Sequence, residues 1–244
     1  MNFDVAIIGC GVCGANIARR LSAFAVKTVI LEKAADVSFG TSKANSGIVH
    51  AGFHHNKKYL KSKLEIQGNL MFDQLRRELN FPFRRCGIVV AALHGDEMKA
   101  VHQLYMQGVE NGVLGIELCS RERLLDLEPR LNYDTVGGLY APGGGIVEPY
   151  RFVFALVESA QKNGVDLLTG FKVQEAQWNE NDRRWTIYGD GCGDSNRSVT
   201  ARYVVNAAGL YADEVSAVFG GEEFSIKPRK GEYFLHIHQW PEKR

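Results

Sequence analysis

Residues 4–32 read DVAIIGCGVCGANIARRLSAFAVKTVILE. An apolar run, Val5 to Ile8, meets Gly9-x-Gly11-x-x-Gly14, and a helical pattern follows. A second apolar run, Thr28 to Leu31, ends on Glu32. This is the strand–turn–helix–strand context in which a GxGxxG becomes a dinucleotide site. Gly9 makes the tight turn, Gly11 lets a pyrophosphate approach the backbone, and Gly14 lets helix pack on strand. The helix N-terminus offers unpaired N–H groups and the positive end of a dipole to phosphate oxygens. Glu32 is placed to accept hydrogen bonds from an adenosine ribose, and its charge disfavours a 2′-phosphate. Lys33, next along, is grouped with the cofactor-facing residues.

After Glu32 the pattern departs from a nicotinamide dehydrogenase, which would supply a helix and a third strand at once. Residues 34–55, AADVSFGTSKANSGIVHAGFHH, instead form a loop-like stretch of small and hydroxyl side chains able to line an extended cofactor. A long amphipathic helix is expected over about Tyr59 to Leu79. Cys86–Leu93 reads as a strand, and Asp96–Asn111 as a helix started by Asp96 and stopped near Gly112. Ser120 opens a short helix that Pro129 ends. Gly137–Ala141 reads as a strand, and Pro149 starts a helix running to about Asn163. Three strands follow, Phe171–Trp178, Arg184–Tyr188 and Ser198–Val205, separated by polar turns as in an antiparallel meander. The last runs into Asn206-Ala207-Ala208-Gly209 and a helix near Tyr211. Residues 225–238 alternate like a half-buried strand and need sheet partners, with 86–93 and 137–141 the obvious ones.

Bulk properties narrow the function. The 244 residues carry 29 basic and 28 acidic side chains, net +1, so no overall field points to nucleic acid. The lysines at 57, 58, 61 and 63 read as a solvated helix face. No apolar run reaches the roughly 18 residues of a membrane span, and the first strand starts too early for a signal peptide. The expectation is a cytoplasmic protein, with peripheral membrane association left open. The five scattered cysteines suit reduced thiols. Cys10 and Cys13 form a C-x-x-C interleaved with the glycines, read as small residues that the turn tolerates, with Cys13 among the cofactor-facing positions. His236 and His238 share a strand face without a third ligand, so no metal is expected.

Five segments occur in order along the chain: GCGVCGANIARRL with Glu32, TSKANSGIVHAGF (41–53), GLYAPGGGIVEPYRF (138–152), VVNAAGLYAD (204–213) and KPRKGEYFL (227–235). Together they resemble the FAD-dependent oxidoreductases of the D-amino-acid oxidase superfamily. The likeness is strongest to the branch holding bacterial glycerol-3-phosphate dehydrogenases and L-2-hydroxyglutarate oxidases. The resemblance implies an α/β fold: a Rossmann-like FAD-binding domain of glutathione-reductase type (1–80 and 146–220), interrupted by an α+β substrate domain with a mixed or antiparallel sheet (81–145 and 221–244). Gly9, Gly11, Gly14 and Glu32 would hold the ADP half of FAD. Thr41, Ser42, Asn45, Ser46 and Gly47 would lie along pyrophosphate and flavin, Val173 beside the adenine, and Ala207, Ala208 and Gly209 against the cofactor. His50 would face flavin and substrate.

The implied reaction moves a hydride from a small anionic hydroxylated substrate to FAD. Glycerol 3-phosphate is the first choice and L-2-hydroxyglutarate the second. An amino acid or secondary amine is third, and a flavin-binding remnant without catalysis stands apart. Oxygen, a quinone or a partner protein would accept the electrons. A histidine titrating near neutrality suits the base that takes the alcohol proton, which nominates His50; a phosphate or carboxylate needs fixed donors, which nominates Arg229 and Lys230. Members of the family are longer, and a Pro-Gly turn usually follows their His-Ala-Gly segment, where this chain has HHNKKYLKS. On that basis the substrate sheet is expected to be incomplete, with an exposed apolar face or edge and an open flavin site.

Overall fold

A computed structural model describes residues 1–190 and 197–233. In chain order the elements are β1 (Asn2–Ile8), α1 (Val12–Leu21), β2 (Thr28–Leu31), β3 (Ile48–Val49), α2 (Leu60–Leu79), β4 (Phe83–Arg85) and β5 (Ile88–Ala92). Then come α3 (Met98–Asn111), β6 (Glu117–Ser120), α4 (Arg121–Leu127), β7 (Gly137–Ala141), β8 (Gly145–Val147) and α5 (Pro149–Lys162). The last are β9 (Asp166–Leu168), β10 (Lys172–Asn179), β11 (Arg184–Asp190), β12 (Arg197–Asn206), a 3₁₀ turn (Gly209–Tyr211) and α6 (Ala212–Val218).

The main sheet has the order β10-β11-β12-β1-β2-β9. Strands β12, β1, β2 and β9, the last at one edge, are parallel, and β11 and β10 extend the sheet at the other edge as an antiparallel meander. All four residues of β2 are buried, as a parallel strand covered on both faces requires. On one face Ile7 and Ile30 pack against Ala15 and Ala18 of α1 and Val153, Leu156 and Val157 of α5. On the other, Ala6, Ile8, Val29 and Leu31 meet Phe171, Ile187 and Val215. Each valine, leucine, isoleucine and phenylalanine among them contributes about 1.5–3 kcal/mol when fully buried, so this sandwich is the rigid frame of the site.

The strand beside β2 is β9, far along the chain, and the helix leading into it is α5, packed on α1. A crossover is obligatory between parallel strands, and here it is completed only after the chain has built everything from residue 32 to Glu148. Within that excursion β8 pairs antiparallel with β3 and β4, and β7 with β5 and β6. Ala51 and Phe53 join Val101, Leu139 and Ala141 in a third core, which seats the loop before α2 against the β5–β7–β6 sheet.

Two expectations are corrected. The residues expected to form a strand over 225–238 are unpaired as far as Tyr233, and the rest of that segment, with His236 and His238, lies outside the described residues. One of its expected partners, β7, is already flanked by β5 and by β6, and Pro228 has no N–H to give a ladder. Helix α3 starts at Met98 rather than Asp96, because the Glu97 carboxylate turns back to accept from the Leu93 (2.7 Å) and His94 (3.2 Å) amides. The short strands β3, β4, β6, β8 and β9 have no sequence counterpart in the expectation, since two to four residues carry too little periodicity.

Candidate active site

The C-terminal ends of β1, β2 and β12 converge on the glycine turn. The Gly9 amide donates to Leu31 O (2.8 Å), and the Ala207 amide to Ile8 O (2.9 Å). Gly9 has φ +100°, and a Cβ there would stand 2.6 Å from Ala207 O. A Cβ on Gly14 would stand 2.0 Å from Gly9 O, so α1 lies directly on the turn. Chain order reverses between β1 and β12, and the crevice at such a switch point is where open α/β sheets bind ligands. Gly9 lies directly against Ala207 and Ala208 at this point.

The N-terminus of α1 has no cap of its own, because its cap residue is Gly11. Ser42 supplies one from the loop: its Oγ accepts from the Val12 amide at 2.9 Å. A Cβ on Gly11 would come within 3.0 Å of that oxygen. The loop is fastened here by Ser38, whose amide donates to Cys10 O (3.0 Å). Ser38 has φ +66°, and its Oγ is buried without a hydrogen-bond partner. Sequence reading did not single it out; its signal is positional, a hydroxyl six residues past the ribose acid.

Glu32 is buried and works inside the protein. Oε2 accepts from the Cys10 amide (2.7 Å) and Oε1 from the Ala34 amide (2.9 Å), and two carboxylate oxygens retain acceptor capacity beyond two bonds. The Cys10 thiol is fully buried and pushed up to about 12, first by burial and then by the charges of Glu32 and Asp36. Cys13 is exposed and free. An inert thiol at one position leaves the C-x-x-C without redox chemistry.

Asn45 shapes the loop. Its side chain donates to Thr41 O and Ser42 O (both 3.1 Å) and accepts from the Gly47 amide (2.9 Å). Gly47, at φ +68°, sits against Val147 O, and Thr41 and Ser46 are exposed. Lys33 places its ammonium over the Tyr211 ring, 2.9 Å from the centroid, joining the end of β2 to the Gly209 turn. Val173 packs on the second face of the main sheet beside an irregularity in the β10–β11 register.

Past β3 the chain presents His50, and amide side chains hold its backbone at every step. Asn69 on α2 donates to His50 O (2.8 Å) and Gly143 O (2.8 Å). Asn111 on α3 donates to Gly52 O (2.8 Å) and His55 O (2.7 Å), and Gln107 to Phe53 O (2.7 Å). Arg85 braces the arrangement from β4 through Asp73 (2.7 Å from Nε), both oxygens of Asn69 (3.0 and 2.8 Å) and Gly143 O. None of Asn69, Arg85, Gln107 or Asn111 was nominated from sequence. The one available signal was a polar residue on the inward face of an amphipathic helix.

His50 has company that sequence reading missed. Its ring meets that of His54 edge-on, with centroids 4.7 Å apart, and His54 stacks on Phe53. Arg229 and Lys230 lie on the exposed segment beyond α6, where Lys230 pairs with Glu232 at 2.7 Å; no contact joins them to His50 among the described residues. An open cleft of about 580 Å³ runs beside α2 and β8, lined by Arg76, Phe83, Arg84, Arg85, Ile146 and Glu148 among others. None of the nominated residues lines it.

A parallel sheet with a glycine turn, a carboxylate at the end of its second strand and a helix N-terminus at its switch point is the architecture of a Rossmann-type dinucleotide-binding fold. The chain belongs to the FAD dependent oxidoreductase family (DAO), whose pattern matches residues 4–243. It is 42 % identical over 233 residues to a glycerol 3-phosphate dehydrogenase of Caloramator mitchellensis, covering 96 % of this chain and 47 % of that protein. To the mitochondrial L-2-hydroxyglutarate dehydrogenase of Bos taurus it is 30 % identical over 257 residues, covering 100 % and 53 %. Among solved structures it matches an FAD-bound, dithionite-reduced L-α-glycerophosphate oxidase of Mycoplasma pneumoniae with a TM-score of 0.86. The identity there is 28 %, over 92 % of this chain and 59 % of that one. The chain thus spans about half the length of the curated relatives it matches.

The residues present fit FAD. The glycines let strand ends, helix and Ser42 close up around the turn, Ser42 places its hydroxyl at a first-turn amide of α1, and the buried Ser38 hydroxyl lacks a partner among the described residues. Glu32 keeps acceptor capacity for a ribose.

Proposed function

We propose that this chain carries the FAD-binding site and the flavin-facing histidine loop of an oxidoreductase acting on a small hydroxylated anion, with glycerol 3-phosphate as substrate. The carrying observation is the 42 % identity to a glycerol 3-phosphate dehydrogenase along nearly the whole chain. FAD, when bound, accepts the hydride. Gly9, Gly11, Gly14, Glu32, Ser42 and Ala207–Gly209 hold its ADP half, with Thr41, Asn45, Ser46 and Gly47 continuing along the cofactor. His50 takes the alcohol proton on an imidazole nitrogen, while Asn69 and Arg85 keep its loop in register. Arg229 and Lys230 supply donors for the anion. Residues 1–80 and 146–220 make the cofactor domain and 81–145 with 221–244 the substrate domain. The acceptor of the electrons is oxygen, a quinone or a partner protein, and the unpaired cysteines among the described residues suit the reducing cytoplasm. No helix among the described residues is long and apolar enough to cross a membrane.

L-2-hydroxyglutarate is the second reading, favoured by the 30 % identity along the full chain to its bovine dehydrogenase. Anaerobic mixing of the FAD-loaded protein with each substrate separates the two. Bleaching of flavin absorbance by glycerol 3-phosphate supports the first, and bleaching only by the hydroxy acid supports the second. Bleaching by neither, with flavin retained, refutes both. His50→Ala should keep FAD and slow the reduction by about 10²–10⁴-fold, the range of general acid–base catalysis; an unchanged rate removes His50 from the mechanism.

A further inference from the structure

We propose that His50, His54 and Glu65 form a binding site for a first-row divalent transition-metal ion. One ligand atom of each lies within 4.8 Å of the others. Around a tetrahedral ion with bonds of about 2.0–2.2 Å, ligand atoms sit about 3.2–3.6 Å apart. Closing the difference takes only side-chain rotation by one or two of the three.

The fold builds this juxtaposition deliberately from two elements. Asn69 pins the His50 carbonyl to α2. Glu65 is four residues earlier on the same helix, hence on the same face, which brings its carboxylate beneath the two imidazoles. Beside it Ile66 packs against the position where a Gly52 Cβ would stand.

A second, independent observation points to a ligand. Glu65 Oε2 is buried and has no hydrogen-bond partner among the described residues. An unsatisfied carboxylate oxygen is costly and marks a missing water or ion. Arginine side chains pair with other acids on α2, Arg85 with Asp73 and Arg19 with Glu78, but no ion pair with Glu65 occurs among the described residues.

Two histidines and one carboxylate suit zinc, and the same set with open positions also suits ferrous iron. They leave coordination positions for water. Hard alkaline-earth ions, which take oxygen ligands, should be excluded. Binding releases whatever protons the ligands carry. One consequence rests on the function proposed above: an ion on His50 occupies the lone pair needed to take the substrate proton, so metal loading would suppress flavin reduction.

The test is metal binding itself, which does not depend on any flavin chemistry. Co²⁺ is titrated into the purified protein and followed by its visible d–d bands, and Zn²⁺ by calorimetry. One equivalent should bind, Mg²⁺ should not compete, and His54→Ala and Glu65→Gln should each weaken affinity at least about tenfold, as even outer-shell changes do. His102→Ala is the control, since His102 bonds Met98 O on α3 and is not part of the cluster. Circular dichroism confirms that each variant is folded; Glu65→Gln, close to isosteric, serves if His54→Ala is not. Absence of d–d bands, a spectrum dominated by thiolate charge transfer, or affinity unchanged in the folded variants would overturn the proposal. If the metal binds as expected and no substrate reduces the flavin, the site stands and the functional reading falls.

Discussion

Asn69 is the residue whose loss should be felt furthest from where it sits. It is 7 % exposed, and its side chain makes three bonds: two donated at 2.8 Å to His50 O and Gly143 O, one accepted at 3.0 Å from Arg85 Nη1. In Asn69→Ala, Gly143 O keeps Arg85 as a donor, and the Asn69 backbone oxygen keeps Arg85 Nη2. The orphans are His50 O and one guanidinium proton. A neutral bond contributes about 0.5–1.5 kcal/mol net and one to a charged group about 1.5–3 kcal/mol. Asn69→Ala should therefore destabilise by about 2–4 kcal/mol. For a chain of this size that is about 4–16 °C in melting temperature, read by equilibrium urea denaturation alongside thermal melts. Hydrogen exchange should accelerate at residues 50–55 before it does in β1 or β2. Stability within about 0.5 kcal/mol of wild type, with exchange at 50–55 unchanged, would refute the view that Asn69 holds the histidine loop.

Two further outcomes follow from the turn. Gly14→Ala places a Cβ 2.0 Å from Gly9 O, where only backbone can yield; overpacking of this kind costs about 1–3 kcal/mol, and FAD affinity should fall with it. Normal FAD binding by that variant would mean α1 does not rest on the turn. For Cys10, folding raises the thiol pKa from 9.0 to about 12. The stability this contributes is intact below pH 9 and is lost as pH climbs toward 12, because the unfolded chain releases its proton first. Cys10→Ala should flatten that alkaline decline, measured by denaturation across the pH range. In the native wild type, iodoacetamide at pH 8 should label Cys13 and spare Cys10, as peptide mass spectrometry would show. An unchanged slope, or Cys10 labelled as fast as Cys13, would contradict its burial.

Much of the cofactor site was legible because its signals are local. The spacing of Gly9, Gly11 and Gly14 encodes a turn and a helix start within six residues. Runs such as Thr28–Leu31 encode burial on both faces. Ser120 caps α4 by accepting from the Arg123 amide, and Gly112 ends α3 in the left-handed region, as their positions foretold. Such features are settled by neighbours in sequence, so the sequence alone can carry them. The resemblance to the FAD family rested on five such local segments in order.

What tertiary structure decided is the company these segments keep. That β9 rather than a nearby segment completes the sheet beside β2 depends on α5 finding α1 after a long excursion. The cap on α1 comes from Ser42, and Glu32 holds the Cys10 and Ala34 amides. His50 gains Asn69, His54 and Glu65 from a helix and a loop whose own patterns announce only an apolar stripe and a polar turn. Hydrogen bonds and ligand sets of this kind depend on distances between residues that folding alone brings together. The alternating residues over 225–233 carry the converse lesson: a strand pattern becomes a strand only where a neighbouring backbone offers its N–H and C=O groups.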